Sequence, residues 1–79
     1  RELVRNIIRE LDVDVFEKRG VGRTKIRILE AILRGETYGY SIWKYLNSRG
    51  IKIRLPTVYQ HLNELDKMGL IKLVSKRGL

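Results

Sequence analysis

The chain has 79 residues, with 17 lysines and arginines, 9 aspartates and glutamates, one proline and no cysteine, and its formal net charge is +8. Its length predicts one small domain whose core is only just large enough to fold alone. The lack of cysteine excludes disulfides and thiolate metal sites, and no apolar run approaches the roughly 20 residues that cross a bilayer. These features predict a cytoplasmic protein and argue against a membrane function.

The charges are divided unevenly along the chain. Residues 1–17 carry three bases and five acids, whereas residues 18–79 carry fourteen bases and four acids. No acid lies between Glu36 and Glu64, a stretch that contains the bases Lys44, Arg49, Lys52 and Arg54. Such a field attracts a polyanion by releasing its counterions, and nucleic acid is the polyanion that we expect. The alternative is a basic surface that serves only solubility.

The first predicted element is an amphipathic helix over residues 1–18. Its apolar residues recur at three- and four-residue intervals. They are Leu3, Val4, Ile7, Ile8, Leu11 and Val15. A basic connection, "EKRGVGRT", follows, in which Thr24 is placed to cap a second helix. This helix carries apolar residues from Ile26 to Leu33 and ends at Gly35.

A third helix is predicted from about Tyr38 or Gly39 to Ser48, with Ile42 and Leu46 facing the core. It ends at Gly50, because glycine is the usual residue at a left-handed helix stop. The next residues, "IKIRL", alternate apolar and basic side chains, which suits either a short strand or an extended link.

The fourth helix begins near Pro56, whose missing N–H suits a first helical turn, and closes at Gly69. At 100° per residue, Val58, Leu62 and Leu65 fall on one side. The opposite side carries Pro56, Gln60, Asn63 and Lys67, with Thr57 and Glu64 beside them. After it, "LIKLVS" has strand character and "KRG" predicts a turn.

This order of elements predicts a mainly α (α+β) single domain: a winged helix-turn-helix over residues 24–79, with a three-helix core and a short β-hairpin wing, preceded by the amphipathic helix. The segments "ILEAILRGETYGYSIWKYLNSRG" and "LPTVYQHLNELDKMGLI" resemble the PadR-like family of prokaryotic transcription regulators. Gly-Tyr-x-Ile, Thr-hydrophobic-Tyr and Leu-x-x-Leu…Gly-Leu-Ile carry the resemblance, which covers roughly residues 26–74. Pro56 departs from it, because family members usually have a small residue there.

The resemblance implies a homodimer that binds double-stranded DNA at the nucleoid. The family usually dimerises through a helix after the wing, which has no counterpart in this sequence, so we expect residues 1–18 to form the dimer instead. The dimer contacts would be Leu3, Ile7, Ile8 and Leu11. The alternative is that this helix packs within its own subunit.

The second helix of a helix-turn-helix pair lies in the major groove, with its N-terminal half against base edges. The predicted base-reading residues are Thr57, Gln60, His61 and Glu64. The predicted contacts to the DNA backbone are Arg19, Arg23, Lys25, Arg27, Tyr40, Lys44, Arg54, Pro56, Tyr59, Asn63 and Lys67. In the wing, the predicted contacts are Lys72, Lys76 and Arg77.

No pattern for catalysis, a metal or a cofactor is present. One histidine without cysteine cannot build a common zinc site, and "GVG" at residues 20–22 lacks the rest of a dinucleotide fingerprint. Three hypotheses remain: a transcription regulator, a centromere-binding adaptor of an archaeal plasmid or chromosome partition system that spreads along DNA, and a winged helix that binds only proteins.

Overall fold

The computed structural model describes residues 2–8 and 10–75. Within them the chain forms four helices and a two-stranded antiparallel sheet, a small α+β layout consistent with a winged helix. In chain order the elements are β1 (Glu2–Asn6), α1 (Val13–Lys18), α2 (Arg23–Leu33), α3 (Gly39–Ser48), α4 (Leu55–Lys67) and β2 (Ile71–Ser75). None of the described helices has the length and apolar character needed to cross a membrane.

The predicted N-terminal helix is wrong for most of its length. Residues 2–6 form β1, which runs antiparallel to β2 with Val4 opposite Leu73 and Asn6 opposite Ile71. The Val4 amide also donates to the Thr37 carbonyl at 2.7 Å, which joins β1 to the segment before α3. The spacing of apolar residues in the first segment fits a helix. That spacing contains no information about β2, a strand partner about 70 residues away, so it could not predict the strand.

Among the described residues of that segment, only Val13–Lys18 is helical. Asp12 caps this short helix by accepting a hydrogen bond from the Val15 amide at 3.2 Å, a role for which aspartate is well suited. Phe16 is its buried residue. Val13 and Val15 stay largely exposed, so α1 contributes one anchor to the core rather than a full apolar stripe.

The limits of α2 and α3 agree closely with the glycine signals. Gly35 and Gly50 follow their helices with φ of +108° and +81°, the left-handed conformation that glycine adopts without strain. The proposed cap at Thr24 is wrong, because α2 begins at Arg23 with Gly22 as N-cap and no side-chain cap bond. Residues 51–54 form an extended link rather than a strand.

The core lies where α2, α3, α4 and β2 meet. Its largest fully buried side chains are Ile28, Leu29, Ile42, Leu46, Leu62, Leu65, Ile71 and Val58. All three inward residues predicted for α4 are among them. Burial of aliphatic side chains is worth about 1.5–3 kcal/mol each, so this face fixes the orientation of α4.

The predicted wing is altered in its pairing. β2 is present, but its partner within the described residues is β1 from the other end of the chain. The residues expected to turn and return, 76–79, lie outside the described part.

Candidate nucleic-acid interface

The outer face of α4 is polar and exposed. Pro56, Gln60, Asn63 and Lys67 are all exposed, on the side opposite the buried aliphatic residues. This distribution agrees with the face assigned from the 100° spacing. Because the inner face is fully buried, the outer residues are held on a rigid element, which is the condition for specific recognition by a helix.

The four residues predicted to read bases differ in their surroundings. Gln60 is exposed, whereas Thr57, His61 and Glu64 are half-buried. Thr57 lies in the first turn of α4 and lines an open groove at the junction of α3 and α4. The other groove residues are Asn47, Lys52, Ile53 and Arg54.

His61 and Glu64 belong to a contact between α4 and α2. Lys25 Nζ lies 2.9 Å from Glu64 Oε1, and His61 Nδ1 lies 3.2 Å from the same oxygen. The Lys25 contact, followed by that of His61, lowers the pKa of the Glu64 carboxyl below its ordinary value. Glu64 therefore stays charged at neutral pH and joins α4 to α2. Within residues 2–8 and 10–75 no group of His, Cys, Asp and Glu side chains is arranged to hold a metal ion.

Lys52 and Arg54 form a basic margin beside the first turn of α4. Aromatic residues in the first half of α3 lie next to the link that carries these two cations. Lys44 Nζ lies 5.7 Å from the centroid of the Tyr40 ring, and the Tyr40 and Trp43 rings are 5.6 Å apart. Trp43 Nε1 donates to the Ile53 carbonyl at 2.7 Å. This bond fixes the link that carries Lys52 and Arg54, so the cations next to the first turn of α4 have a defined backbone.

Tyr59 lies on the flank of α4 that faces α3. A Cβ added at Gly39, the first residue of α3, would overlap the Tyr59 ring. This close approach gives a physical reason for glycine in the "GY" that opens α3. The Tyr59 ring packs at the junction of α3 and α4. The residue is nevertheless 41% exposed, so part of its side chain remains accessible.

The remaining predicted backbone contacts are spread over other elements. Arg19 follows α1, Arg23 begins α2, and both are exposed. Arg27 is exposed and pairs with Glu30 at 3.3 Å. Lys72 is exposed on β2, while Lys76 and Arg77 lie outside the described residues. The structure thus does not gather these residues into one cluster with the margin of α4.

Trp43, Asn47 and Lys52 also belong to this site, although the sequence did not predict them as site residues. Lys52 could have been found, because it lies in the acid-free basic stretch before α4. Trp43 and Asn47 act through contacts that no local pattern reveals: the indole reaches a carbonyl ten residues away, and Asn47 Nδ2 donates to the Trp43 carbonyl at 2.9 Å.

The predicted dimer contacts are not one stripe. Leu3 lies in β1 and Ile8 and Leu11 pack against the core, so these three side chains are partly buried within the subunit. Ile7 is 55% exposed and is the one of the four that remains largely accessible.

The chain matches no protein-family model, no curated protein and no solved structure. The likeness to PadR-like regulators therefore depends on the quoted motifs alone. Any functional assignment depends on α4 and on the side chains around it.

Proposed function

We propose that the chain binds double-stranded DNA as a PadR-like transcription regulator, with α4 in the major groove. The observation that carries this proposal is the exposed polar face of a rigid helix beside a stretch, residues 37–63, that contains bases and no acid. A duplex needs both properties: polar groups for base edges and cations for phosphates. A winged helix that binds only proteins would not require the basic margin.

Gln60 is the main candidate for base recognition. Its amide can donate to and accept from adenine in a bidentate pair, and it projects from the N-terminal half of α4. Thr57, one turn before it, is placed for a base edge or a thymine methyl group. His61 and Glu64 have a different role in this proposal, since the Glu64 carboxylate contacts both Lys25 and His61 and so joins α4 to α2.

Contacts to phosphates come from the margin of α4. Arg54 and Lys52 lie on the link, Lys44 lies on α3 beside the Tyr40 ring, and the Tyr59 side chain is partly accessible. Lys72 is exposed on β2, Lys76 and Arg77 follow it in sequence, and the proposal includes all three as separate contacts of the wing. Such contacts fix the position of the protein on the duplex without reading its sequence.

A homodimer is part of this proposal, with a surface revised from the one expected. Ile7, Val13 and Val15 are 55%, 39% and 42% exposed, so accessible aliphatic side chains recur within this short segment. A two-fold dimer through this segment would place two copies of α4 on one duplex.

Selection of bound duplexes from random sequence, followed by fluorescence anisotropy over a range of salt, tests the proposal. Gln60→Ala should weaken binding to the selected site by about 1–3 kcal/mol and relax the preference at one position. Lys44→Gln should weaken all sequences alike and reduce the salt slope by about 1. Lys18→Gln removes the same charge from α1, away from the margin of α4, and is the matched control.

Affinity that barely changes with salt, or equal losses in Lys44→Gln and Lys18→Gln, would contradict a phosphate-bound α4 surface. Footprinting separates the regulator from the partition adaptor. A bounded protected site supports the regulator, whereas protection that lengthens with protein concentration supports spreading.

A further inference from the structure

A second basic site lies between α2 and α3. It is a cleft of about 230 Å³ whose floor includes the buried Leu46 and the half-buried Ile51. Its polar lining is formed by Arg27, Glu30, Arg34, Tyr45 and Arg49. Three guanidinium groups and one carboxylate give the cleft a net charge of +2.

Two of the arginines converge on one aromatic ring. The guanidinium carbons of Arg49 and Arg34 lie 5.0 Å and 5.9 Å from the centroid of the Tyr45 ring. Both distances end at the same centroid, so the two guanidinium carbons lie no farther apart than the sum of the two distances. The half-buried Tyr45 is fixed by α3, and cation–π attraction holds each guanidinium near it.

These two cations lack carboxylate partners. Among the described residues, ion pairs involve Lys25, Arg27 and His61, and neither Arg34 nor Arg49 takes part in one. Glu30, the one acid among the described residues that line the cleft, pairs with Arg27 at 3.3 Å. An oxyanion between Arg34 and Arg49 would relieve their repulsion and use guanidinium forks that form no ion pair with the residues the structure describes.

The cleft faces away from α4. Lys25 contacts α4 through Glu64, and Arg34 lies nine residues later on or just after α2, which is about 180° around the helix. Arg27 is about 160° from Lys25 by the same geometry. A duplex lying on the outer face of α4 would therefore not occupy this cleft.

We infer that the cleft binds a small phosphate-bearing molecule through Arg34 and Arg49. Phosphate is favoured over a single carboxylate because a dianion matches the net charge of the cleft. A tetrahedral anion also accepts guanidinium forks that arrive from two different helices. This inference does not depend on the proposed binding of DNA.

Calorimetric and NMR titrations of the whole chain with inorganic phosphate and with glycerol phosphate test this inference. We expect saturable binding of both or of the ester, with shifts of the Tyr45 ring protons. Arg34→Gln and Arg49→Gln should each weaken binding about tenfold, since a charge-assisted bond is lost. Arg34→Lys should weaken it less, and Glu30→Gln should tighten it. Lys18→Gln is the control of equal charge and should bind like the parent, and thermal unfolding verifies that each variant folds.

Three results would overturn the inference. Shifts that grow linearly without saturation, or that decrease equally in Lys18→Gln, would show unspecific charge. Binding of succinate as tight as that of phosphate would remove the assignment to phosphate. A loss of duplex affinity in Arg34→Gln as large as in Lys44→Gln would make the cleft part of a DNA surface instead.

Discussion

Gly39 and Tyr59 approach each other closely where α3 meets α4. The space that a Cβ of residue 39 would need is occupied by the Tyr59 ring, and Gly39 itself is buried. The Tyr59 ring can occupy this position only because residue 39 has no side chain. The glycine is therefore required for packing rather than for a turn. Its φ is not among the positive values found at other glycines.

Gly39→Ala should destabilise the fold by about 1–3 kcal/mol, the usual cost of overpacking. Urea unfolding measures this loss. In the Tyr59→Ala background the same change should cost clearly less, because the obstructing ring is gone. Equal costs in the two backgrounds would show that the ring moves aside freely.

Glu64 should make stability depend on pH. Its carboxyl has a lowered pKa, first because of Lys25 and second because of His61. A group with a depressed folded pKa contributes stability above its unfolded pKa and loses it as the pH falls through the folded pKa. Thermal midpoints of the parent should therefore fall more between neutrality and about pH 3 than those of Glu64→Gln.

The control for this acid titration is Glu17→Gln, which removes an exposed carboxylate that forms no ion pair within the described residues. It should retain the pH dependence of the parent. Parallel curves for the parent and Glu64→Gln would contradict a stabilising role of this contact.

At the residue level, the sequence predicted inward positions better than outward roles. Val58, Leu62 and Leu65 were placed correctly because aliphatic burial follows directly from helical periodicity. His61 and Glu64 were assigned to bases because the same periodicity puts them near the outer face. The contact of Glu64 with Lys25 depends on how α2 crosses α4, which local spacing does not contain.

A side-chain hydrogen bond joins α3 to the link that precedes α4. Trp43→Phe keeps an aromatic ring in place but removes the Nε1 donor to the Ile53 carbonyl. We expect a loss of about 0.5–1.5 kcal/mol in the free energy of unfolding. Amide exchange in residues 51–57 should accelerate, which NMR measures directly.

Tyr40→Phe is the matched control, because it alters a neighbouring ring without touching this bond. If amide exchange of the link is the same in Trp43→Phe and in the parent, the indole does not position α4.

Two neighbouring residues of β1 should differ sharply in their contribution to stability. Val4 is 3% exposed, whereas its neighbour Arg5 is exposed. Val4→Ala removes two buried methyl groups and should cost about 2 kcal/mol, while Arg5→Ala should change the free energy of unfolding little. Chemical denaturation measures both. Comparable effects of the two substitutions would contradict the strand.

At the level of elements, the helices that end at glycines were predictable from the sequence. Of the two strands, only β2 was predictable. Gly35, Gly50 and Gly69 end their helices with positive φ, so local chemistry marks these limits. The strand character of "LIKLVS" was also recognised. Its pairing with residues 2–6 could not be, because a spacing of three and four residues in the first segment fits a helix until a distant partner is known.

The whole molecule separates an acidic first segment from a basic remainder, and among the described residues the large exposed Ile and Val side chains belong to the first segment. If Ile7, Val13 and Val15 form the dimer surface, Ile7→Asp should lower the molar mass from that of a dimer to that of a monomer in light scattering. Asn63→Asp adds the same charge on α4 and should leave the mass unchanged.

A parent that is monomeric at all concentrations, or a folded Ile7→Asp dimer, would exclude this surface. Leu11 is unsuitable for the experiment, because it packs against the core and its substitution would disturb the subunit itself.

Pairing of β1 with β2 means that the first and last strands of the described chain are neighbours, with Glu2 opposite Ser75. Closing so long a loop is entropically costly, so we expect the helices to assemble first and the sheet to form late. A circular permutant in which a short peptide joins β2 to β1, with new termini near Gly35, should refold faster. The two strands are then close in sequence, so their pairing no longer requires closure of a long loop. The same geometry makes β1 the segment that can detach first while the helical centre stays intact, a release that hydrogen exchange would detect as early loss of protection at Val4.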